Sequence, residues 1–260
     1  MGAEKVPGDA QSKLPSPFAG EGPGARGTAE WTIRPQLLPL APTLSRQGRG
    51  DTLRPRVRMR FAKLSAFRWI GHRDLMRGLE RLFRRGGLPL AMSQGFHPKP
   101  RMMFPLALAV GIEGREEVME VELTEPLEAD VLLARLRPLA PPGLELLWAE
   151  LLPPGARKAR VTAAEYRVAL GPLRPAALGE CVARLLAADA WPVRRPRRTA
   201  PIDLRASLLA LELAGDVLAM RLRLAGDGSA GPRDVLAALG LGDLERQGAR
   251  LVRTALELAP

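Results

Sequence analysis

The sequence predicts an α+β protein built from two tandem ferredoxin-like (βαββαβ) domains, preceded by an extension without regular structure. From about residue 55 the chain alternates between strand-like patterns of period two and helix-like patterns of period near 3.6. Their order is strand, helix, strand, strand, helix, strand, which is the ferredoxin-like motif. The same order returns in the second half. We therefore place the first domain at residues 55–158 and the second at residues 159–260.

The first 54 residues lack either period. They are rich in Pro, Gly, Ser and Ala, as in "LPSPFAGEGPGARG". Such a composition buries too little apolar surface to offset chain entropy, so we expect residues 1–54 to be disordered. The extension also resembles translated intergenic DNA. One hypothesis is therefore that it is not part of the native protein, whose start would lie near Val57 or Met59.

The first domain opens with the strand pattern "VRMRFAK", in which Val57, Met59 and Phe61 share one side. The next stretch, "HRDLMRGLERLFRRGG", predicts a helix that ends at Gly86-Gly87. Its apolar residues recur at helical spacing; they are Leu75, Met76, Leu79, Leu82 and Phe83.

A hairpin is predicted over about residues 106–124, with "EGREE" as its turn. "EADVLLARLRPLA" predicts the second helix, and "LELLWAELL" predicts the last strand of the domain. In the second half, "AEYRVALG", "ASLLALELAG", "VLAMRLRLAG" and "ARLVRTALEL" predict strands, whereas "PAALGECVARLLAAD" and "PRDVLAALGL" predict helices.

The single cysteine, Cys181, excludes a disulfide framework and a zinc or iron–sulfur site built from cysteines of this chain alone. It lies on the apolar side of a predicted helix and is expected to be a small core residue. Low cysteine usage fits a reducing cytoplasm. Neither a secretory signal nor an apolar run of about 20 residues is apparent, so we expect a cytoplasmic protein without a membrane partner.

The positive charge is concentrated in one segment. Residues 54–101 contain thirteen Lys and Arg against Asp74 and Glu80, a net of +11, which equals the net charge of the whole chain. A focused positive field attracts polyanions and steers their approach. A solvated basic face without a ligand is the alternative, but this segment also gathers aromatic residues. The pattern indicates binding of structured RNA, such as tRNA or rRNA.

The stretch from "RFAK" through "FRWIGHRDLMRGLERLFRRGGLPLAMSQGFHPKPRMMF" resembles the opening of a bacterial radical SAM-linked family of unknown function. Its members are encoded next to radical S-adenosylmethionine proteins or fused to their C-terminus. The resemblance implies an accessory role beside a radical enzyme that modifies RNA. The iron–sulfur cluster and S-adenosylmethionine would then belong only to the partner protein, because this chain has one cysteine and needs three. We expect no cofactor and no catalytic activity in this chain.

The first predicted helix carries a basic stripe opposite its apolar face. A phosphate-binding stripe and a solvated face fit it equally well, and Glu80 is expected to neutralise part of it by pairing with one of the arginines. The stripe consists of Arg73, Arg77, Arg81 and Arg84.

Arg58 and Arg60 are predicted to point from the sheet face that the helices leave open, which RNA-recognition domains use. Glu120 and Glu122 of the neighbouring strand share this face. We favour cross-strand ion pairs slightly over direct RNA contact.

The loop "SQGFHPKPRMMF" is stiff because Pro98 and Pro100 fix the backbone, and a stiff loop loses little entropy on binding. Lys99 and Arg101 are expected to be exposed and to bind phosphate. Phe96 either stacks on an unpaired base or fills the core beneath the loop, and the core position is favoured. The further RNA-binding candidates here are Ser93, Gln94 and His97.

His72 and His97 are the only histidines, and both lie in the basic segment. They permit an alternative function as a metal-independent endoribonuclease that uses a histidine as general acid or base. His72 is more simply a residue at a helix start that bonds to local backbone. No spacing matches a metal signature, so no metal site is expected. A third alternative is an assembly partner of the radical enzyme without RNA contact.

Overall fold

The computed structural model describes residues 54–195, 200–224 and 228–260, so the predicted extension lies outside them except for Arg54. The described chain is α+β, as predicted. Its elements in chain order are β1 Arg56–Lys63, α1 His72–Arg85, β2 Met102–Met103, β3 Glu113–Glu122, α2 Ala129–Leu136, β4 Leu144–Leu152, β5 Val161–Ala169, α3 Leu178–Ala187, β6 Pro192–Val193, β7 Ile202–Asp203, α4 Leu204–Ser207, β8 Leu208–Ala214, β9 Val217–Arg223, α5 Pro232–Ala238 and β10 Leu251–Leu258.

Eight of the described strands form one large mixed sheet in the order β4-β1-β3-β10-β5-β9-β8, with β2 also paired to β3. The first half of the chain contributes the order β4-β1-β3-β2, and the second half contributes β10-β5-β9-β8. Where the halves meet, β3 and β10 run parallel, whereas the other neighbours in this sheet are antiparallel. The remaining described strands, β6 and β7, pair separately.

The predicted first strand and helix are confirmed. Alternation along β1 buries Val57, Met59 and Phe61 on the face that packs against α1 and α2. Of the five apolar residues predicted at helical spacing in α1, Met76 is only half-buried, and the other four are buried: Leu75, Leu79, Leu82 and Phe83. Full burial of one such side chain is worth about 1.5–3 kcal/mol, so this helix is held mainly by its apolar face. Gly87, with φ of 64°, allows the chain to turn away after the helix.

The predicted hairpin at residues 106–124 is wrong. "EGREE" is not a turn but the beginning of β3, and in place of a strand over residues 106–112 the structure has the two-residue β2 further upstream. Glu113 and Glu117 are buried in this strand. Position 114 requires a glycine, because a Cβ there would lie only 2.4 Å from Glu117 Oε1. The carboxylates tolerate burial because cations from distant segments neutralise them.

A buried ion pair lies where the two halves meet. Arg253 of β10 and Glu117 of β3 are 3% and 4% exposed, and Arg253 Nε donates to Glu117 Oε1 at 2.8 Å. Nearby, Lys63 Nζ is buried and donates to the Ile70 carbonyl at 2.6 Å. Burial lowers the pKa of Lys63; the Glu117 carboxylate opposes this change and the Arg253 guanidinium adds to it. Glu117 thus forms an ion pair with Arg253, and its charge also offsets part of the cost of burying Lys63.

Candidate nucleic-acid interface

Residues 93–101, here called the basic loop, are closed at their base by backbone hydrogen bonds. Arg101 N donates to Ala91 O at 2.9 Å, and Ser93 N donates to Lys99 O at 2.8 Å. The Ser93 hydroxyl accepts from Lys99 N at 3.0 Å, so this group orders the loop. Gly95, at φ of 123°, allows the reversal at the tip. The base of the basic loop is therefore fixed.

The tip of the basic loop projects into solvent. Phe96 has a relative exposure of 103%, so the favoured position in the core beneath the loop is wrong. Gln94, His97 and Lys99 are also exposed. Among the described residues, no carboxylate forms an ion pair with Lys99. The loop thus presents an aromatic ring and an uncompensated cation three residues apart.

Arg101 is exposed as predicted, but it is not free. Its guanidinium contacts the Glu122 carboxylate of β3 at 3.1 Å, with the two side chains 47% and 24% exposed. An exposed pair of this kind is worth about 0–1 kcal/mol. A phosphate can therefore compete for Arg101 at modest cost.

The four arginines predicted to form a stripe on α1 are all exposed. Arg84 pairs with Glu80 at 3.0 Å, which confirms the expected neutralisation by Glu80, and Arg77 pairs with Asp74 at 3.5 Å, which was not predicted. Arg73 and Arg81 form no ion pair with any described residue. The stripe therefore offers two cations without an ion pair among the described residues and two held by weak exposed pairs.

The outer face of the sheet, opposite α1 and α2, carries Arg58 and Arg60. Arg58 donates to Glu120 at 3.0 Å and also contacts Glu150 at 3.3 Å, so the predicted cross-strand pair with Glu120 is confirmed. Arg60 pairs with Glu116 at 3.3 Å and not with Glu122, which binds Arg101. Direct register between Arg58 and Glu120 explains the confirmed pair. Both arginines are neutralised within the sheet.

Residues 153–160, here called the linker, join β4 to β5 and run over this outer face. Arg56 of β1 donates to the Arg157 carbonyl at 3.1 Å and also contacts the Ala156 carbonyl. Further along, Ala159 N donates to Glu120 Oε1 at 3.0 Å. Glu120 is 1% exposed and accepts from Arg58 as well. The face that RNA-recognition domains leave open is thus partly covered by the protein itself.

The two histidines lie in different surroundings. The His72 ring packs edge-on against Phe104 with centroids 5.1 Å apart. His97 is exposed at the tip of the basic loop. Neither imidazole makes a hydrogen bond with a described residue, so the local backbone bond predicted for His72 is not formed there. The described residues also contain no group of three or more side chains able to hold a metal ion.

Sequence reasoning missed two exposed tryptophans. Trp69 is 61% exposed, and the Arg68 guanidinium lies over its ring at 4.8 Å. Trp148, on the outer face beside Arg60 in register, is 42% exposed. For Trp69, the sequence signal was the arginine directly before it in "FRW". For Trp148, it was the break in alternation within "LELLWAELL", where the pairing with β1 has a bulge between Arg60 and Phe61.

The comparisons with known proteins place the chain in a family. Residues 56–231 match the family model DUF2344, described as an uncharacterized protein conserved in bacteria. The chain belongs to this family. The match begins at the first residue of β1 and spans the basic loop, the linker and most of the second half.

A solved structure, an unknown protein from Galdieria sulphuraria, is 11% identical, covers 80% of this chain and 99% of its own, and has a TM-score of 0.25. This likeness carries no structural argument. None of the curated proteins matches the chain. In the part of the chain that the structure describes, no helix has the length and apolar character to span a membrane.

Proposed function

We propose that this protein binds structured RNA through the basic loop and the exposed face of α1. The observation that carries the proposal is the fully exposed Phe96 beside the uncompensated Lys99 on a loop whose base is fixed. Leaving a phenylalanine in water forgoes about 1.5–3 kcal/mol of burial. Stacking on an unpaired base recovers about 1–3 kcal/mol. A merely solvated basic face gives no reason for this ring.

The charges support RNA as the ligand. Arg73, Arg81 and Lys99 are exposed cations without ion pairs among the described residues. Arg101 is held only by an exposed pair that phosphate can replace. Since the loop base is fixed, little backbone entropy is lost when Lys99 and Arg101 contact a phosphate chain.

The protein acts in this proposal as the accessory of a radical S-adenosylmethionine enzyme and presents RNA to it. The support is the resemblance carried by residues 58–123 to proteins linked to such enzymes. One cysteine cannot supply the three thiolates of the cluster, so the radical chemistry is assigned to the partner. The two histidines have no hydrogen-bonded base among the described residues, which favours binding over catalysis in this chain.

The proposal includes two ferredoxin-like units in tandem. Its support is the strand order, β4-β1-β3-β2 in the first half and β10-β5-β9-β8 in the second, with the same sequence of strands and main helices in each. Two such units would place the basic loop between the first helix and the second strand of the first unit.

The test is RNA binding by the double variant Lys99→Ala, Arg101→Ala, measured with bulk bacterial tRNA over a range of salt concentrations. Each lost phosphate contact makes the slope of log K against log salt shallower by about 0.7–0.9, so two contacts predict about 1.4–1.8. Arg135→Ala with Arg184→Ala is the matched control, because it removes two exposed arginines from helices α2 and α3.

Arg101→Ala leaves Glu122 without its cation, so a second version also carries Glu122→Gln. The proposal predicts the same shallower slope in both versions and an unchanged slope in the control. Wild-type affinity and slope in both loop variants, with an unchanged circular dichroism spectrum, would refute RNA binding by this loop.

A further inference from the structure

The linker carries a second cluster of cations outside the basic segment. The residues Pro153 to Arg160 read "PPGARKAR", with three basic and no acidic side chains, in a part of the chain whose net charge is otherwise negative. Arg157, Lys158 and Arg160 are all exposed. Within the described ranges, none of the three side chains forms an ion pair. An exposed charge run of this kind is usually only solvated. Whether the linker can act as a binding site therefore depends on how firmly its backbone is held against the sheet.

The backbone of the linker is fixed at several points. Arg56 binds the carbonyls of Ala156 and Arg157, and Glu120 binds Ala159 N. At its end, Ala259 N donates to Arg160 O at 2.8 Å. The carboxylate that holds the linker is 1% exposed and shared with two arginines of β1, so the attachment is a buried, charge-assisted one. The three cations therefore extend from an ordered backbone.

The linker and the basic loop meet on the same strand. Glu120, which holds the linker, and Glu122, which holds Arg101, are two residues apart on β3 and so lie on the same face, about 7 Å from each other. Both carboxylates are already occupied by cations or backbone donors. The uncompensated exposed charge near these two carboxylates is positive. Lys99 belongs to the basic loop, which Glu122 contacts through Arg101, and three cations belong to the linker, which Glu120 holds.

We infer that the linker is a second phosphate-binding segment, continuous with the basic loop, which guides one RNA from the first half of the chain onto the second across the outer face of the sheet. The inference rests on the proposed RNA binding. It adds a path: the ring of Phe96 contacts an unpaired base, and the linker binds the backbone of the adjoining nucleotides. A row of cations on an ordered backbone suits a polyanion, because little backbone entropy is lost on binding.

The experiment compares the wild type with the variant Arg157→Ala, Lys158→Ala, Arg160→Ala, again with bulk bacterial tRNA over a range of salt. Three lost phosphate contacts predict a slope shallower by about 2.1–2.7 and an affinity tenfold or more weaker near 0.15 M salt. The control variant Arg135→Ala, Arg174→Ala, Arg184→Ala removes three exposed arginines elsewhere and is expected to match the wild type.

A second readout needs no substitution. RNA should protect Lys158 from chemical acetylation at low salt, and the protection should disappear at high salt. If the wild type binds tRNA, but the linker variant keeps its slope and Lys158 is not protected, the inference is wrong while the proposed function stands. If the wild type binds no RNA, both fail. If the variant keeps RNA binding but loses a protein partner, the linker is a protein contact and the inference is also wrong.

Discussion

The buried pair between Glu117 and Arg253 provides a quantitative test of how the two halves are joined. In Glu117→Gln the guanidinium stays 3% exposed but loses the carboxylate, and Lys63 loses the charge that offsets its burial. Breaking a buried pair by neutralising one partner costs about 3–5 kcal/mol. Since whole proteins are stable by about 5–15 kcal/mol, this is a large fraction of the free energy of unfolding.

The matched variant replaces both members, Glu117→Leu with Arg253→Met. Apolar pairs of similar volume are commonly neutral or stabilising in place of a buried ion pair. We therefore expect the double variant to be more stable than Glu117→Gln by at least about 2 kcal/mol. Urea unfolding followed by tryptophan fluorescence measures each free energy. A Glu117→Gln variant within about 1 kcal/mol of the wild type would refute the reasoning, as would a double variant no better than the single one.

The same variants carry a pH signature. Because the pKa of Lys63 is lowered in the folded protein, the unfolded chain binds more protons between that folded pKa and the ordinary lysine value. Stability from this group therefore rises as the pH rises through that window. Glu117→Gln lowers the pKa of Lys63 further, so its deficit relative to the wild type should narrow as the pH increases towards 10.5. A deficit that is constant with pH would show that Glu117 does not influence the protonation of Lys63.

Two further predictions concern Asp203 and the two histidines. Trp191 N and Arg205 N each donate to Asp203 at 2.9 Å and lower the pKa of this exposed carboxyl, so its stabilisation is present above the ordinary aspartate pKa and is lost as the pH falls through the folded pKa. The Asp203→Ala variant should therefore have a free energy of unfolding about 1 kcal/mol lower than that of the wild type at pH 7, as for a lost helix cap. In urea titrations at acid pH the two free energies should converge, and an equal difference at pH 2 would contradict this. Purified protein should not cleave RNA, since neither histidine has a hydrogen-bonded base among the described residues; cleavage that disappears in both His72→Ala and His97→Ala would instead establish the endoribonuclease.

Local patterns predicted the elements whose side chains pack close by. Alternation in β1 and helical spacing in α1 were sufficient because both bury one face against the same core. The ion pair between Arg58 and Glu120 followed from the antiparallel pairing of two predicted strands. These are properties that a segment of about ten residues contains.

Such local patterns do not predict ion pairs between residues that are far apart in the sequence. "EGREE" contains a glycine and several charges, which is typical of a turn, but β3 buries Glu117 against Arg253, 136 residues later in the chain. The exposure of Phe96 was missed for the opposite reason: a lone phenylalanine usually contributes to a core, and a functional loop is an exception. The position of the linker over β1 and β3 depends on the strand order of the whole sheet, so no local pattern predicts where its cations lie.

The central claim is that RNA contacts the basic loop. Ultraviolet crosslinking in the native host, followed by mass spectrometry of nucleotide-bearing peptides, tests it most directly. The account predicts crosslinked nucleotides on the peptide that contains Phe96, whose ring is fully exposed, and their loss in Phe96→Ala with an unchanged fold. Recovered protein without any crosslinked nucleotide, or crosslinks confined to peptides of α3 or α5, would contradict it.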